Sequence, residues 1–141
     1  LFSWVEAANI FDFNLYIAHP KQIRPSKELK NISNGKKNIT FTHNVKQAIH
    51  NSNCIITDTW FSMGKNPTKK LLSIFKPYQV NKSKMSVANK DAVFMHCLPA
   101  KRGNEVSSEV IDNSHISLVW EEAENRLHVQ KALLEWCLKK I

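Results

Sequence analysis

The 141 residues are enough for one domain with a hydrophobic core, and their 43% hydrophobic and 23% charged content is typical of a folded protein rather than a disordered one. Because no run of 18 apolar residues occurs, the sequence excludes a membrane-spanning helix. The net charge of +8 suggests nucleic-acid binding, but it comes from 17 lysines and only three arginines, and no aromatic residues accompany the densest lysines. We interpret the charge as a solvated basic face, with nucleic-acid binding as an alternative.

The order of apolar runs and helical patterns predicts an α/β fold. In chain order the pattern predicts a helix at 1–12, a strand at 13–19, a helix at 26–37, a strand at 38–42, a helix at 44–52, a strand at 53–58, helices at 67–76 and 81–89, a strand at 91–98, a helix at 104–113, a strand at 115–120 and a closing helix at 120–141. The strands are continuously apolar, as expected when both faces are covered. We therefore predict one domain over 1–141, a three-layer parallel sheet with helices on both faces.

Two helix starts and one helix face stand out in this pattern. Ser26 and Asn44 are typical N-cap residues at the starts of two predicted helices. The closing helix has an apolar stripe, which predicts a buried face with Arg126 at its margin. The stripe comprises Trp120, Ala123, Leu127, Leu134 and Cys137 or Leu138.

The cysteines and histidines give no sign of a disulfide framework or a metal centre. Cys54, Cys97 and Cys137 are odd in number and far apart, which indicates a reducing compartment such as the cytoplasm. Neither a CxxC nor an HExxH motif occurs, and the six histidines are scattered. We therefore predict no metal site and no cofactor.

Ligands of parallel α/β domains bind beyond the carboxyl ends of the strands, so the residues at those positions are the first candidates for a site. Asp58 follows the third predicted strand and is followed in turn by Ser62 and Gly64. A carboxylate can pair with a ligand ammonium, and a hydroxyl can donate to a ligand carboxylate. The alternative is that Asp58 caps the next helix and that the following residues form an ordinary turn.

Two further candidates follow the later strands. Cys97, after the fourth strand, is a candidate nucleophile or thiolate partner of a cation, and the alternative is an inert buried thiol beside a satisfied His96. Arg126, on the closing helix, can hold a phosphate or carbonyl oxygen through its guanidinium fork. Its alternative role is an ion pair with Glu122, one helical turn away.

Four segments carry recognisable motifs: DTWFSMG from residue 58, KPYQVN from residue 76, HCLPAKRGNEVSSEVID from residue 96 and VWEEAENRLHVQKALL from residue 119. Together these segments resemble the ornithine carbamoyltransferases, and the similarity extends over the whole chain. Ser-Met-Gly is characteristic of the ornithine enzymes, whereas His-Cys-Leu-Pro is shared with other carbamoyltransferases.

The resemblance implies a carbamoyl transfer from carbamoyl phosphate to the δ-amine of ornithine, giving citrulline. It implies that Asp58 pairs with the α-ammonium of ornithine and that Ser62 and Met63 complete the amino-acid site. Cys97 would lie beside the reacting δ-amine as a catalytic residue, where we expect a thiolate stabilised by the cation. Cys97 and Leu98 would contact the carbamoyl group, and Arg126 would bind carbamoyl phosphate.

The sequence departs from the family in what it lacks. No Ser-x-Arg-Thr-Arg segment, which in the family binds the phosphate from a separate N-terminal domain, occurs in the 141 residues. The first residues, LFSWVEAANIF, have neither a basic leader nor a small-residue cleavage site, so we expect the interior of a longer protein. The Gly-Asp-x-x-Asn-Asn strand of the family should end just before Leu1. Lys65 and Asn66 stand where the family often has an acidic residue. The resemblance also implies a homotrimer.

Three alternatives to this activity stay open. One is a carbamoyltransferase for another amine, such as putrescine or an acylated ornithine. The others are a basic nucleic-acid-binding domain and a non-catalytic ligand-binding module. For the isolated 141 residues we expect amino-acid binding without citrulline formation, because the phosphate-binding segment is absent.

Overall fold

A computed structural model of the protein describes residues 1–61 and 68–139. The strands are β1 (Leu15–Ala18), β2 (Ile39–Thr42), β3 (Cys54–Ile56) and β4 (Val93–Met95). The helices are α1 (Phe2–Phe11), α2 (Lys27–Ser33), α3 (Val45–Ile49), α4 (Lys69–Phe75), α5 (Lys82–Met85), α6 (Ser108–Ile111) and α7 (Val119–Leu138), with a 3₁₀ turn at Lys76–Tyr78.

The strands pair in parallel, as the sequence predicted, but in two sheets instead of one. β1 pairs with β2 and β3 pairs with β4, and helices lie between consecutive strands. Within the described residues no ladder joins β1 to β3, so the continuity of the sheet across the two pairs stays a prediction. The fifth predicted strand is reduced to one parallel bridge between Ser117 and Phe94. The α/β class is therefore confirmed at the level of parallel strands alternating with helices.

Each pair of strands has its own hydrophobic core. Beneath β3 and β4, the side chains of Phe94, Val106 and Val110 are fully buried against α6 and the start of α7. Beneath β1 and β2, Val5 and Ala8 of α1 are fully buried against the strands and α2. Because the two cores hold the strands in register, the residues that follow the strands have defined positions.

Both predicted N-caps are confirmed. The Ser26 hydroxyl accepts a hydrogen bond from the Leu29 amide at 3.2 Å, and the Asn44 side-chain oxygen accepts one from the Gln47 amide at 3.3 Å. Each bond satisfies an amide that has no partner within the first helical turn.

The closing helix forms as predicted, but its apolar stripe is not buried. Trp120 is 69% exposed, Leu127 57% and Leu134 65%, and Arg126 is exposed as well. Val119 is the one fully packed residue of the helix. The period of the sequence predicts which residues share a face, but what covers that face depends on other parts of a structure. Among the described residues, no helix has both the length and the hydropathy to cross a membrane.

Candidate functional site

Two of the predicted site residues meet at the carboxyl ends of β3 and β4. Ile56 and Met95 are opposite each other in the ladder, and Asp58 and Cys97 each follow two residues later. The Cys97 thiol lies 3.4 Å from Oδ1 of Asp58 and donates a hydrogen bond to it. The parallel register therefore places a carboxylate and a thiol side by side at the strand ends. We call this pair the Asp58–Cys97 site.

Asp58 is exposed and does not cap a helix that the structure describes. Its Oδ1 accepts hydrogen bonds from the Thr59 amide at 2.7 Å and the Thr59 hydroxyl at 3.4 Å. The N-cap of the next described helix is Thr68, whose hydroxyl accepts from the Leu71 amide at 3.2 Å. The helix-capping alternative is therefore wrong for the described residues, and the exposed carboxylate is accessible to a ligand cation.

The electrostatics of Cys97 favour the thiol. Burial raises its pKa, and the charge of Asp58 and its hydrogen bond with the thiol raise it further, as does the charge of Glu122. A thiolate next to a carboxylate is disfavoured because like charges repel. The expected thiolate therefore requires a bound cation, such as a ligand ammonium, to offset the two carboxylates.

A buried pair behind Cys97 positions the segment that follows it. His96 and Glu105 are both fully buried. The Leu98 amide donates to Nδ1 of His96 at 2.9 Å, so the ring proton is on Nε2, which faces Oε1 of Glu105 at 3.6 Å. The same Oε1 accepts from the Lys101 amide at 2.5 Å. The pair thus holds both ends of residues 97–101, within which Leu98 has a left-handed φ of 51°.

Sequence reasoning treated His96 as a satisfied neighbour and overlooked Glu105. The local sequence carries no signal of this burial, because Ser107, Ser108 and Glu109 follow Glu105 within about one helical turn, as at an exposed helix start. The structure nevertheless buries the Glu105 side chain fully, where His96 and the Lys101 amide face its carboxylate.

The basic segment after Pro99 is held by side chains of the KPYQVN segment. The Gln79 amide nitrogen donates to the carbonyls of Gly103 at 2.6 Å and Asn104 at 2.7 Å. Lys76 also donates to the Gly103 carbonyl, at 3.2 Å. Arg102 pairs with Asp112, its closest contact being 2.6 Å. The backbone carbonyls of this basic segment and the side chain of Arg102 are therefore both held by contacts within the fold.

Glu122, on the first turn of α7, is an additional carboxylate near the Asp58–Cys97 site. Its charge contributes to raising the pKa of Cys97, and it adds to the effect of burial in raising the pKa of Cys54 to about 11. Its Oε2 is buried without a hydrogen-bond partner among the described residues. The alternative ion pair between Glu122 and Arg126 is not formed within the described ranges, where the ion pairs of α7 join Glu124 to His128 and Glu135 to Lys139.

Of the remaining predicted site residues, the structure describes Leu98 and Arg126. Ser62 and Met63 lie outside the described residues. Arg126 is exposed on the second turn of α7 and has no ion pair or hydrogen bond in the parts of the chain that the structure describes. Leu98 is half-buried and directly follows Cys97. In residues 1–61 and 68–139, no group of three His, Cys, Asp or Glu side chains is arranged to hold a metal ion.

Aromatic side chains fasten the segment that follows Asp58. The Trp60 ring stacks on Phe75 of α4 at a centroid distance of 5.5 Å, and Phe61 meets the same ring edge-on at 5.7 Å. Such ring pairs stabilise a structure by about 0.5–1.5 kcal/mol beyond their burial. The segment that follows Asp58 therefore packs against α4 through these two rings.

The parallel strands and the polar residues at their carboxyl ends define the class of the protein, an α/β domain that binds a small ligand at its strand ends. Comparison with known proteins narrows this class. Residues 1–137 match the family model described as the Asp/Orn-binding domain of aspartate/ornithine carbamoyltransferase. The chain therefore belongs to the aspartate/ornithine carbamoyltransferase family, as its amino-acid-binding domain.

Individual relatives agree with this membership. The chain is 50% identical over 139 residues to an ornithine carbamoyltransferase of Rhodopseudomonas palustris, covering 98% of this chain and 44% of that protein. It is 48% identical to the ornithine carbamoyltransferase of Nitrobacter winogradskyi, with 98% and 45% covered. The chain thus spans less than half the length of these relatives.

Solved structures match the fold closely. The anabolic ornithine carbamoyltransferase of Campylobacter jejuni superposes with a TM-score of 0.85 at 38% identity, covering 95% of this chain and 46% of that one. The ornithine carbamoyltransferase of Pyrococcus furiosus gives a TM-score of 0.83 at 37% identity, with 94% and 44% covered.

Proposed function

We propose that the protein to which this chain belongs transfers the carbamoyl group of carbamoyl phosphate to the δ-amine of ornithine, giving citrulline and phosphate in arginine metabolism. These 141 residues supply the half that binds the amino acid. The observation that carries the proposal is the contact between Asp58 and Cys97, at 3.4 Å, within a fold shared with ornithine carbamoyltransferases. Carbamoyl phosphate and ornithine are the substrates, and no cofactor takes part.

The site suits an amino acid with two amines. Asp58 binds the α-ammonium of ornithine, and Ser62 and Met63 complete the contacts with its head group. The δ-amine lies beside Cys97, whose pKa is raised first by burial and then by the negative charges of Asp58 and Glu122. An ammonium bound there offsets the charge of Asp58 and Glu122, so a cationic substrate is favoured over a neutral one.

The transfer itself needs a neutral amine. A free alkylammonium has a pKa near ~10.4, so a proton must leave the δ-nitrogen before its electron pair can attack the carbonyl carbon. The new C–N bond forms as the C–O bond to phosphate breaks. Phosphate leaves with the bonding electrons and accepts the second proton, which the nitrogen loses once it is bonded to the carbonyl carbon. Leu98 contacts the carbamoyl group together with Cys97, and Arg126 binds the phosphate, whose developing charge its guanidinium stabilises.

The exposed stripe of α7 supports a second half of the protein as partner. Trp120, Leu127 and Leu134 are more than half exposed. Large apolar side chains grouped on one helical face are typical of surfaces that another part of a protein covers. We propose that an N-terminal domain packs on this face and brings its phosphate-binding segment toward Arg126. We also propose a homotrimer and a cytoplasmic location.

The amine specificity tests this proposal. We would join this chain to the N-terminal half of the Rhodopseudomonas palustris relative and measure kcat/KM for ornithine and putrescine. Putrescine has the reactive amine but no α-carboxylate, so a site built for the amino-acid head group should disfavour it by about 2–5 kcal/mol per unpaired buried partner. That corresponds to roughly 30-fold to several thousand-fold in kcat/KM.

Asp58→Asn should lower kcat/KM for ornithine, because the α-ammonium loses its carboxylate partner, and it should also weaken putrescine, which carries an amine at the corresponding end. Asp91→Asn, which changes an exposed aspartate outside the site, is the matched control and should leave both substrates unaffected. Equal efficiency on the two amines, or unchanged ornithine kinetics in Asp58→Asn, would contradict the assignment and favour the diamine alternative.

A further inference from the structure

A basic cavity of about 680 Å³ lies at the carboxyl ends of β1 and β2, on the pair of strands that the Asp58–Cys97 site does not use. Its lining includes the cations Lys21, Arg24 and Lys30 and the imidazoles of His19 and His43. No carboxylate lines the cavity among the residues that the structure describes. Concave walls with charges of one sign concentrate the electrostatic potential, so this cavity attracts anions.

The two imidazoles are fixed in position by the backbone. Nδ1 of His19 lies 2.7 Å from the Ile23 carbonyl, and Nδ1 of His43 lies 2.9 Å from the His19 carbonyl. Because a carbonyl oxygen only accepts, each Nδ1 must donate, which leaves Nε2 as the ring nitrogen without a partner among the described residues. The Tyr78 hydroxyl donates to the His19 carbonyl at 2.8 Å and holds the same backbone from the other side.

The rest of the lining suits the body of a small organic ligand. Ile39 and Phe41 of β2 contribute apolar surface, and Phe41 packs edge-on against His19 at a centroid distance of 6.3 Å. The end of α2 also borders the cavity, but the Ser33 hydroxyl donates to the carbonyls of Leu29 and Lys30 and so occupies two of its terminal acceptors. A cavity of this volume accommodates more than a bare phosphate ion.

We propose that this cavity binds a phosphate-bearing small molecule with a planar or apolar body, of about the size of a nucleotide. Arg24 can bind two phosphate oxygens through its guanidinium fork, and Lys21 and Lys30 supply point charges. Phe41 and Ile39 face the body of the ligand. This site is separate from the Asp58–Cys97 site and does not depend on the proposed carbamoyl transfer.

Calorimetric titration of the protein with ADP, pyrophosphate and adenosine tests the proposal. We expect saturable binding of ADP at one site, weaker binding of pyrophosphate and the weakest binding of adenosine. The double variant Lys21→Gln/Arg24→Gln should weaken ADP binding by at least about tenfold, because it removes two charge-assisted contacts. The charge-matched control Lys82→Gln/Lys90→Gln changes exposed lysines outside the cavity and should bind ADP like the parent protein.

The outcomes separate a defined site from general attraction to a basic protein. Equal weakening in both double variants would overturn the proposal, and so would the absence of saturable ADP binding. Adenosine binding as tightly as ADP would exclude the phosphate contacts, and pyrophosphate binding as tightly as ADP would exclude a role for Phe41. ADP binding that is unchanged in Cys97→Ala would support a site distinct from the Asp58–Cys97 site. Circular dichroism checks that each variant is folded.

Discussion

Removal of the Glu105 carboxylate should destabilise the protein more than any change at an exposed acidic residue. Glu105 is fully buried, and its Oε1 accepts from the Lys101 amide at 2.5 Å and faces Nε2 of His96 at 3.6 Å. In Glu105→Ala the Lys101 amide loses its acceptor in the protein interior, and the His96 ring loses the carboxylate that faces it. An unsatisfied buried donor costs about 1–3 kcal/mol, and the cavity left by the truncated side chain adds to that cost. We therefore expect a loss of about 2–4 kcal/mol.

Glu105→Gln keeps the volume of the side chain and an acceptor oxygen, so its comparison with Glu105→Ala isolates the effect of losing them. Its amide oxygen can still accept from the Lys101 amide, so the expected loss is only about 1 kcal/mol. Urea unfolding followed by circular dichroism measures both variants, with Glu6→Ala on the exposed face of α1 as the control. Equal losses in the alanine and glutamine variants would refute the argument from hydrogen bonding. Losses no larger than that of the control would refute the burial argument as well.

Three further predictions follow from the electrostatics and packing. Asp58→Asn should speed alkylation of Cys97 by iodoacetamide at pH 8, because the lost carboxylate no longer raises the pKa of the thiol. The rate at the exposed Cys137 should not change. Peptide mass spectrometry measures both rates, and an equal rate at Cys97 in the parent and the variant would contradict this prediction. The free energy of unfolding should fall as pH rises from about 9 toward 11, because folded Cys54, with a pKa of about 11, keeps a proton that the unfolded chain releases. Cys54→Ala should remove that part of the pH dependence, and identical pH profiles would argue against it. Phe94→Ala should cost about 3–5 kcal/mol in urea unfolding, because its ring is fully buried in the core beneath β3 and β4, and a loss below about 1 kcal/mol would show that the core refills the space.

The sequence predicted the strands and helices well because their signals are local. Short apolar runs and the N-caps at Ser26 and Asn44 depend on neighbours within one turn or one strand, and the structure confirms both caps. The buried face of α7 was not predicted correctly, and the single sheet stays a prediction, because the structure pairs the strands only as β1–β2 and β3–β4. Both features depend on which distant segments pack together. The periodicity of apolar residues does not carry this information, so it could not predict the exposure of Trp120.

Of the candidate site, the sequence predicted only the residues whose positions follow from the order of the strands. Asp58 and Cys97 follow neighbouring parallel strands, so their contact follows from the strand-end rule, although their roles toward a substrate stay predictions. Glu105 and Glu122 could not be assigned from the sequence in this way. Whether a carboxylate is solvated or buried depends on contacts across the fold, and these two residues pattern like ordinary surface acids.

The distribution of charge along the strand ends connects the proposed amino-acid site with the proposed anion site. At β3 and β4 the carboxylates of Asp58 and Glu122 act together on the Cys97 thiol, whereas at β1 and β2 the lining of the cavity is basic, with Lys21 and Arg24 among its cations. The net charge of +8 does not show this separation, because it is a sum over all charged residues of the chain. A cationic ligand is therefore directed to one pair of strands and an anionic ligand to the other. The two sites can consequently be tested by separate variants, since neither Asp58 nor Cys97 lines the basic cavity.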